Sequence, residues 1–266
     1  MCRRWIGILG LIVVVCAACS TPSQSRVVIA SGTTLVDSGF MAHLVAAYRT
    51  SDPQAQLSVI GLSSAEAIAL AAAGNADIII THNRAALDAF LSQHPQSVRT
   101  DAFSSTFFLV ADPLIGLDGA SLEDALRTVE ERGYPFVSRD DGSGTNAAEL
   151  VAWESIGVDP SAEGWYVRTG TGMGATLQVA DQRHAITLTE EGAYLASASV
   201  LSLEPVANTV IPNPYDLTLI DPQANRAAAS FVEWLVSPEG ALAMEETNND
   251  LFGMQVYVVS SVPAEH

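Results

Sequence analysis

The chain has 266 residues, 48% hydrophobic and 16% charged, which is enough apolar material for one large domain or two modest lobes and too much for a disordered chain. Its formal net charge is -18 and no lysine stands among the 12 basic residues, so every fixed positive side chain is an arginine. This balance excludes a general nucleic-acid binder, which needs clustered cations to displace counterions from phosphates, and leaves an anion to be held locally by backbone N–H groups and one or two arginines.

The chain starts on the basic Cys2-Arg3-Arg4, runs through an apolar stretch from Trp5 to Cys16 too short to span a bilayer, and then places the small residues Ala17-Ala18 before Cys19. Residues 1–18 read as a secretory signal and Cys19 as the lipidated first residue of the mature protein; the segment resembles the bacterial lipobox, with Cys16 where that motif usually has leucine. An uncut signal anchor, or a cut without lipid, is the alternative reading. Residues 19–25 form a short polar tether. Cys2, Cys16 and Cys19 all lie in this region, so the mature domain has no disulfide partner and no thiolate ligand.

Apolar bursts then alternate with helical periodicity. Val27 to Ala30, Leu57 to Ile60, Ile78 to Ile80 and Thr106 to Ala111 read as short buried strands. The helices between them have Phe40, Leu44, Val45 and Tyr48 on one face, a capping box at Ser63-Ser64-Ala65-Glu66 with a stop at Gly74, and Leu122, Ala125, Leu126 and Val129 ending at Gly133. A further helix after Gly144 carries Ala147, Leu150 and Val151, and another is expected to open at Asp221-Pro222, with Ala228, Phe231, Val232 and Leu235 inward. This alternation predicts an α/β fold, each lobe a mainly parallel sheet flanked by helices. Asp112-Pro113 and the stretch from Pro205 to Pro214 break the chain, so we expect lobe 1 at 26–110 and 213–266, lobe 2 at 111–212, and a two-strand hinge between them.

Three stretches set hydroxyls and glycines where a strand gives way to a helix: Ser31-Gly32-Thr33-Thr34, Gly61-Leu62-Ser63-Ser64, and Ser138-Arg139 through Gly142-Ser143-Gly144-Thr145. Helix starts leave N–H groups unpaired and carry partial positive charge, so each can hold an anion without a lysine. Arg139 adds a planar fork for two oxygens, or else pairs with Asp140 or Asp141. Gly170-Thr171-Gly172-Met173-Gly174 is a fourth turn able to give N–H donors, with Met173 packed in the core as the alternative. Thr33, Thr34, Gly144, Gly172 and Met173 join the candidate ligand-binding residues on these grounds.

Catalysis is poorly supported. His43, His82, His94, His184 and His266 show no metal-site spacing and read as surface or capping residues, and no cofactor and no direct metal ligand are expected. Asp37-Ser38-Gly39 and Asp141-Gly142-Ser143-Gly144 faintly resemble aspartic protease loops, a reading that makes Asp37 and Asp141 a hydrolase pair, but both lead into helices.

Taken in order, Ala30-Ser31-Gly32-Thr33-Thr34, Asp37-Ser38-Gly39, Gly74-Asn75-Ala76-Asp77, Pro135 to Arg139 with Ser143-Gly144-Thr145, Gly172 to Leu177, Thr187-Leu188-Thr189, Asn213-Pro214-Tyr215, and Ser237-Pro238-Glu239-Gly240 resemble the tungstate-binding proteins of ABC-type importers, in the periplasmic binding protein superfamily. The resemblance runs from about Ile29 to Leu251. It implies two α/β lobes closing on an oxyanion, with contacts carried over to Ser31, Thr34, Ser64, Arg139, Ser143 and Thr145. Gly32 replaces a threonine of the family, Thr34 a serine, Asn146 a histidine, and Asp140-Asp141-Gly142 reorders the usual Gly-Asp-Asp, which bears on selectivity. The implied function is an extracytoplasmic, lipid-anchored, monomeric binding protein that delivers tungstate or molybdate to an ABC permease and is not an enzyme. Phosphate or sulfate as ligand, and a lipid-anchored sensor or adaptor in place of a transport protein, are the alternatives.

Overall fold

The computed structural model describes residues 26–259; the signal segment, Cys19 and the whole tether lie outside the described residues. Among the described residues no helix is long and apolar enough to cross a membrane. The strands are β1 (Val27–Gly32), β2 (Leu57–Leu62), β3 (Ile78–Thr81), β4 (Val98–Ala111), β5 (Phe136–Ser138), β6 (Tyr166–Arg168), β7 (Ile186–Glu190), β8 (Glu204–Pro205), β9 (Ile211–Leu219) and β10 (Val258–Val259). The helices are α1 (Thr33–Asp37), α2 (Phe40–Ser51), α3 (Ser64–Ala72), α4 (Arg84–Leu91), α5 (Leu122–Arg132), α6 (Gly144–Ser155), α7 (Met173–Gln182), α8 (Glu191–Leu195), α9 (Arg226–Leu235) and α10 (Pro238–Phe252).

All ten strands join one sheet in the order β2-β1-β3-β9-β4-β7-β5-β6, with β8 and β10 added on β4. Its two wings are parallel, β2/β1/β3 on one side and β7/β5/β6 on the other, while β3/β9, β9/β4 and β4/β7 are antiparallel. The fold is thus α/β with parallel wings, and the strands that cross between them form an antiparallel ribbon from Val98↔Leu219 to Phe107↔Ile211. β4 holds β9 along its first part and β7 along its last, Phe107–Ala111, so one strand belongs to both wings.

Period-two burial explains why helices cover both faces. In the first wing Ile29, Ile78 and Ile80 pack under α2, α9 and α10, while Ala30 and Ile79 face α3 and α4. In the second, Phe107, Leu109 and Ile186 pack under α5 and α6, while Phe108, Val110 and Val137 face α7 and α8. The inner strands β1, β3 and β7 and the last part of β4 are therefore buried on both faces, the pattern of a sheet covered from two sides.

Several local expectations need revision. The strand expected at Thr106 begins at Val98. Asp221-Pro222 makes a turn in which Asp221 Oδ1 accepts from the N–H of Gln223 and Ala224, and α9 opens only at Arg226, capped by Asn225. The Pro-rich break runs into β9, whose Pro212 and Pro214 fall where β4 is its only neighbour, a one-sided position that tolerates residues lacking N–H. In α6 the buried face is Asn146, Glu149, Ala152 and Trp153, leaving Leu150 and Val151 exposed, because polar groups of the loop before α6 occupy the inward side. The five-residue α1 was not anticipated.

Candidate functional site

Parallel strands within a wing end on the same side, and the first wing's register aligns the ends of its three strands: Ser31 lies beside Gly61 of β2 and Ile80 of β3. Ser31, Ser64 and Thr81 are thereby brought to neighbouring strand ends, all fully buried. From the second wing, β5 ends at Ser138 and delivers Arg139 through Ser143 into the start of α6, while β6 leads through Thr169 to α7. The wings touch at these loops. Arg139 Nη2 donates to Thr33 Oγ1 at 2.9 Å. A methyl placed on Gly142 would lie 3.7 Å from Ala65 Cβ, and one on Gly172 would lie 3.7 Å from Asp37 Oδ2. At Gly144 there is no room for a methyl at all, since it would fall 2.0 Å from His82 Cδ2.

Arg139 is 1% exposed, and most of its N–H groups are engaged. Nη2 and Nε donate to Asp141 Oδ2 at 2.6 and 3.1 Å, and Nη1 reaches Thr145 Oγ1 at 3.5 Å. The ion-pair reading of this residue holds, with Asp141 as its partner, and the same guanidinium faces the hydroxyl loops. Asp141 Oδ1 in turn accepts from Ser143 N at 3.1 Å, so this carboxylate is committed to holding the loop. Asp140 sits at φ 47, in the left-handed region, with its carboxylate 3.7 Å from Arg168 Nε at the surface.

Ser31 Oγ, Ser64 Oγ, Thr81 Oγ1 and Asn146 Nδ2 are buried polar atoms without a hydrogen-bond partner among the described residues. A buried polar group left unpaired costs about 1–3 kcal/mol, so such atoms gathered at the strand ends that meet the α6 loop mark a place where a ligand would supply partners. Ser143 Oγ caps α6 by accepting from Asn146 N at 3.2 Å, which leaves its hydroxyl hydrogen to donate. Thr34 Oγ1 shares a hydrogen bond of 3.0 Å with Tyr215 OH. The expected capping box on α3 is present, Ser63 N donating to Glu66 Oε2 at 2.9 Å. Gly172 precedes α7 without a side-chain cap, but Met173 is packed in the core with Phe108 and Leu177, so only its backbone could serve a ligand. Asp37 stands beside this start; burial raises its pKa and the Arg139 guanidinium opposes the rise.

Two further groups stand at the site, the buried Glu149 behind the α6 loop and the half-buried His82 between the loops. Glu149 accepts from Ser138 Oγ at 2.7 Å and Tyr166 OH at 2.5 Å, and burial pushes it up to about 7 against those hydrogen bonds. His82 corrects the surface reading given to it above: its ring stacks on Tyr215 at 4.7 Å and its Nδ1 lies 3.0 Å from Asn213 Oδ1. The other described histidines fit that reading, His43 and His94 bonding carbonyls of their own helical turns and His184 pairing with Asp112. His266 lies outside the described residues. The sequence carried a signal for Thr81-His82 that periodicity overlooks: polar residues directly after an apolar run, as Ser31 follows Val27 to Ala30. Beside the site, Phe107, Ala147, Val151, Ile211 and Pro212 line an apolar groove of about 390 Å³ that offers an anion little.

A PBP superfamily domain matches residues 20–239. The chain belongs to the PBP superfamily. Within it, the chain is 36% identical over 233 residues to a Haloferax volcanii protein carrying the provisional name of ABC transporter anion-binding protein, covering 82% of this chain and 68% of that protein. It is 28% identical over 249 residues to the tungstate-binding protein TupA of Peptoclostridium acidaminophilum, covering 89% and 86%. The crystal structure of the tungstate ABC transporter from Geobacter sulfurreducens superposes with a TM-score of 0.74 at 29% identity, covering 83% of this chain and 98% of that one. These PBP superfamily relatives are named for binding and transport, not for catalysis.

Proposed function

We propose that the chain captures a fully deprotonated tetrahedral oxyanion outside the cytoplasm, tungstate first and molybdate next, and delivers it to an ABC transporter permease from a lipid anchor on Cys19. The observation that carries this reading is the set of unpartnered buried groups on the segments where the wings meet, Ser31 Oγ, Ser64 Oγ and Thr81 Oγ1 from the first wing and Asn146 Nδ2 from the second. Three are hydroxyls and one is an amide NH₂, so all can donate. Asp141 is taken up by Arg139 and Ser143, and Asp140 faces Arg168. A ligand that keeps a proton, such as hydrogen phosphate, would want a free carboxylate acceptor, and these two do not offer one.

The mechanism follows from the two-sided site. An anion entering between the wings is bound first by one set of donors, and only apposition of the wings satisfies all its oxygens. Binding energy therefore favours the apposed state. Ser31, Thr34 and Ser64 come from the first wing and Arg139, Ser143 and Thr145 from the second, joined by the β4/β9 ribbon. Names borne by the relatives, tungstate-binding and anion-binding, support the same ligand class. Calorimetry with tungstate, molybdate, sulfate and phosphate tests it: tungstate and molybdate are expected to bind far more tightly than phosphate, and the reverse order rejects the ligand.

A further inference from the structure

The His82 imidazole lies between the two halves of the site. Its Nε2 is 3.9 Å from the position a Cβ would take on Gly32, and 2.4 Å from that on Gly144, so it sits between the Ser31–Thr34 run and the Ser143–Thr145 run. Behind the ring a buried relay runs away from the cleft. Nδ1 lies 3.0 Å from Asn213 Oδ1, Asn213 Nδ2 donates to Ser105 Oγ at 2.9 Å, and Ser105 Oγ donates to Glu190 Oε1 at 2.6 Å. Glu190 Oε2 also accepts from Tyr257 OH at 3.1 Å and Ala193 N at 3.3 Å.

The relay has one direction. Once ionised, above about pH 7, Glu190 accepts from every neighbour, so Ser105 spends its hydrogen there and must accept from Asn213. The Asn213 carbonyl oxygen then faces His82, and only a protonated Nδ1 can donate to it. Nε2, with no partner among the described residues, is left as the atom that meets the ligand. In the neutral ring Nε2 is a lone pair that opposes an oxygen of a dianion; protonated, it is one more donor.

We propose that His82 is a further ligand-binding residue of the oxyanion site, donating from Nε2 as an imidazolium, so that each dianion bound brings a proton with it. Asn213, Ser105 and Glu190 are positioning residues that fix the tautomer. The inference rests on the oxyanion reading above. The groups facing the ring are the Arg139 guanidinium and Asp141 from the loop before α6, and the Tyr215 phenol from β9; Arg84, next along α4, is paired with Asp216 and Asp101. With no anion, burial holds the imidazole neutral down to about 4, with Arg139 adding to the effect and the Asn213 hydrogen bond and Asp141 opposing it. A dianion sets two negative charges at Nε2 against one guanidinium already paired with Asp141, and reverses that balance.

The test is titration calorimetry of the full chain with sodium tungstate between about pH 6 and 8.5, in buffers of different ionisation heat. About one proton is expected to be taken up per anion, with affinity weakening about tenfold per pH unit where uptake is complete. His82→Gln should still bind, more weakly, with no uptake and a flat profile. Asn213→Asp, whose carboxylate raises the ring's basicity in both states, should move the profile to higher pH; this variant decides if His82→Gln fails to fold. Tight wild-type binding without uptake, uptake persisting in His82→Gln, or an unmoved profile in Asn213→Asp overturns the inference and leaves the oxyanion function standing. A wild-type protein that binds neither tungstate nor molybdate overturns that function instead.

Discussion

The two ends of the sheet equip the site in opposite ways. The β1–β3 end presents neutral hydroxyls, Ser31, Ser64 and Thr81, that are buried and unpartnered. The β5–β7 end presents a charge, Arg139, whose fork is taken up by Asp141, Thr33 and Thr145, and whose loop is braced by Asp141, Ser143 and Glu149. The first end is left unsatisfied, and a ligand relieves it. The second is largely satisfied before any ligand arrives, in part by Thr33 of the first end, so what it supplies is a charge already held in place. Asn146 Nδ2, at the start of α6, shares the unpartnered character of the first end.

The sharpest way to break this contrast is at Arg139. Arg139→Gln leaves Asp141 as an uncompensated buried carboxylate facing the ligand; a loss of about 3 kcal/mol in binding, roughly 100-fold or more, is expected by calorimetry. An affinity within a few-fold of wild type would mean that the hydroxyl end does the binding alone.

The bracing of the second end has a pH signature. Folded Glu149 keeps its proton up to about 7, well above the 4.5 of a free glutamate. Over that interval the native state binds more protons than the unfolded one, so stability is fullest below it and falls as pH rises through it, by at most about 3 kcal/mol, then levels off. Denaturant titrations from pH 4.5 to 8.5 should show this slope in the wild type, reinforced by Glu190, which burial likewise pushes up to about 7. Glu149→Gln should reduce it.

At the contact between the ends, Gly144→Ala forces a methyl into the His82 ring. Overpacking of this kind costs about 1–3 kcal/mol, so a fall of several degrees in Tm and a comparable loss of affinity are expected. The smallest effect is the most diagnostic. Ser31→Ala removes a hydroxyl with no partner in the free protein, so stability should stay level or rise by up to about 1 kcal/mol while tungstate affinity falls about tenfold. A variant that loses stability without losing affinity would show Ser31 to be a packing residue only.

The pieces legible in the sequence are those whose signal is local. Strand cores such as Val27 to Ala30, the α3 capping box and the Gly133 stop each depend on residues within a few positions, and each is where periodicity and capping chemistry put it. Arg139 and the hydroxyl loops were visible because they sit at strand-to-helix passages. What the sequence hid depends on partners far along the chain. His82 owes its role to Tyr215, Asn213 and Gly144, and nothing near Thr81-His82-Asn83 announces them. The inward face of α6 was not legible, because Asn146 and Glu149, polar by type, turn toward Gly142 and Ser138, which no hydrophobic pattern can foresee. Asp221-Pro222 misled for the opposite reason: a sound local helix signal was outcompeted by the Asn225 cap a few residues later.

The crossing segments of β4 and β9 lie side by side and are hydrogen-bonded over most of their length, from Val98 to Phe107. Two strands coupled in this way cannot translate past one another without breaking the ladder between them, but they can bend and twist together. A relative displacement of the two halves would then be a rotation, by bending or twisting of the ribbon, and not a slide along it. A rotation of that kind moves the loops farthest from the ribbon most and the groups beside it least.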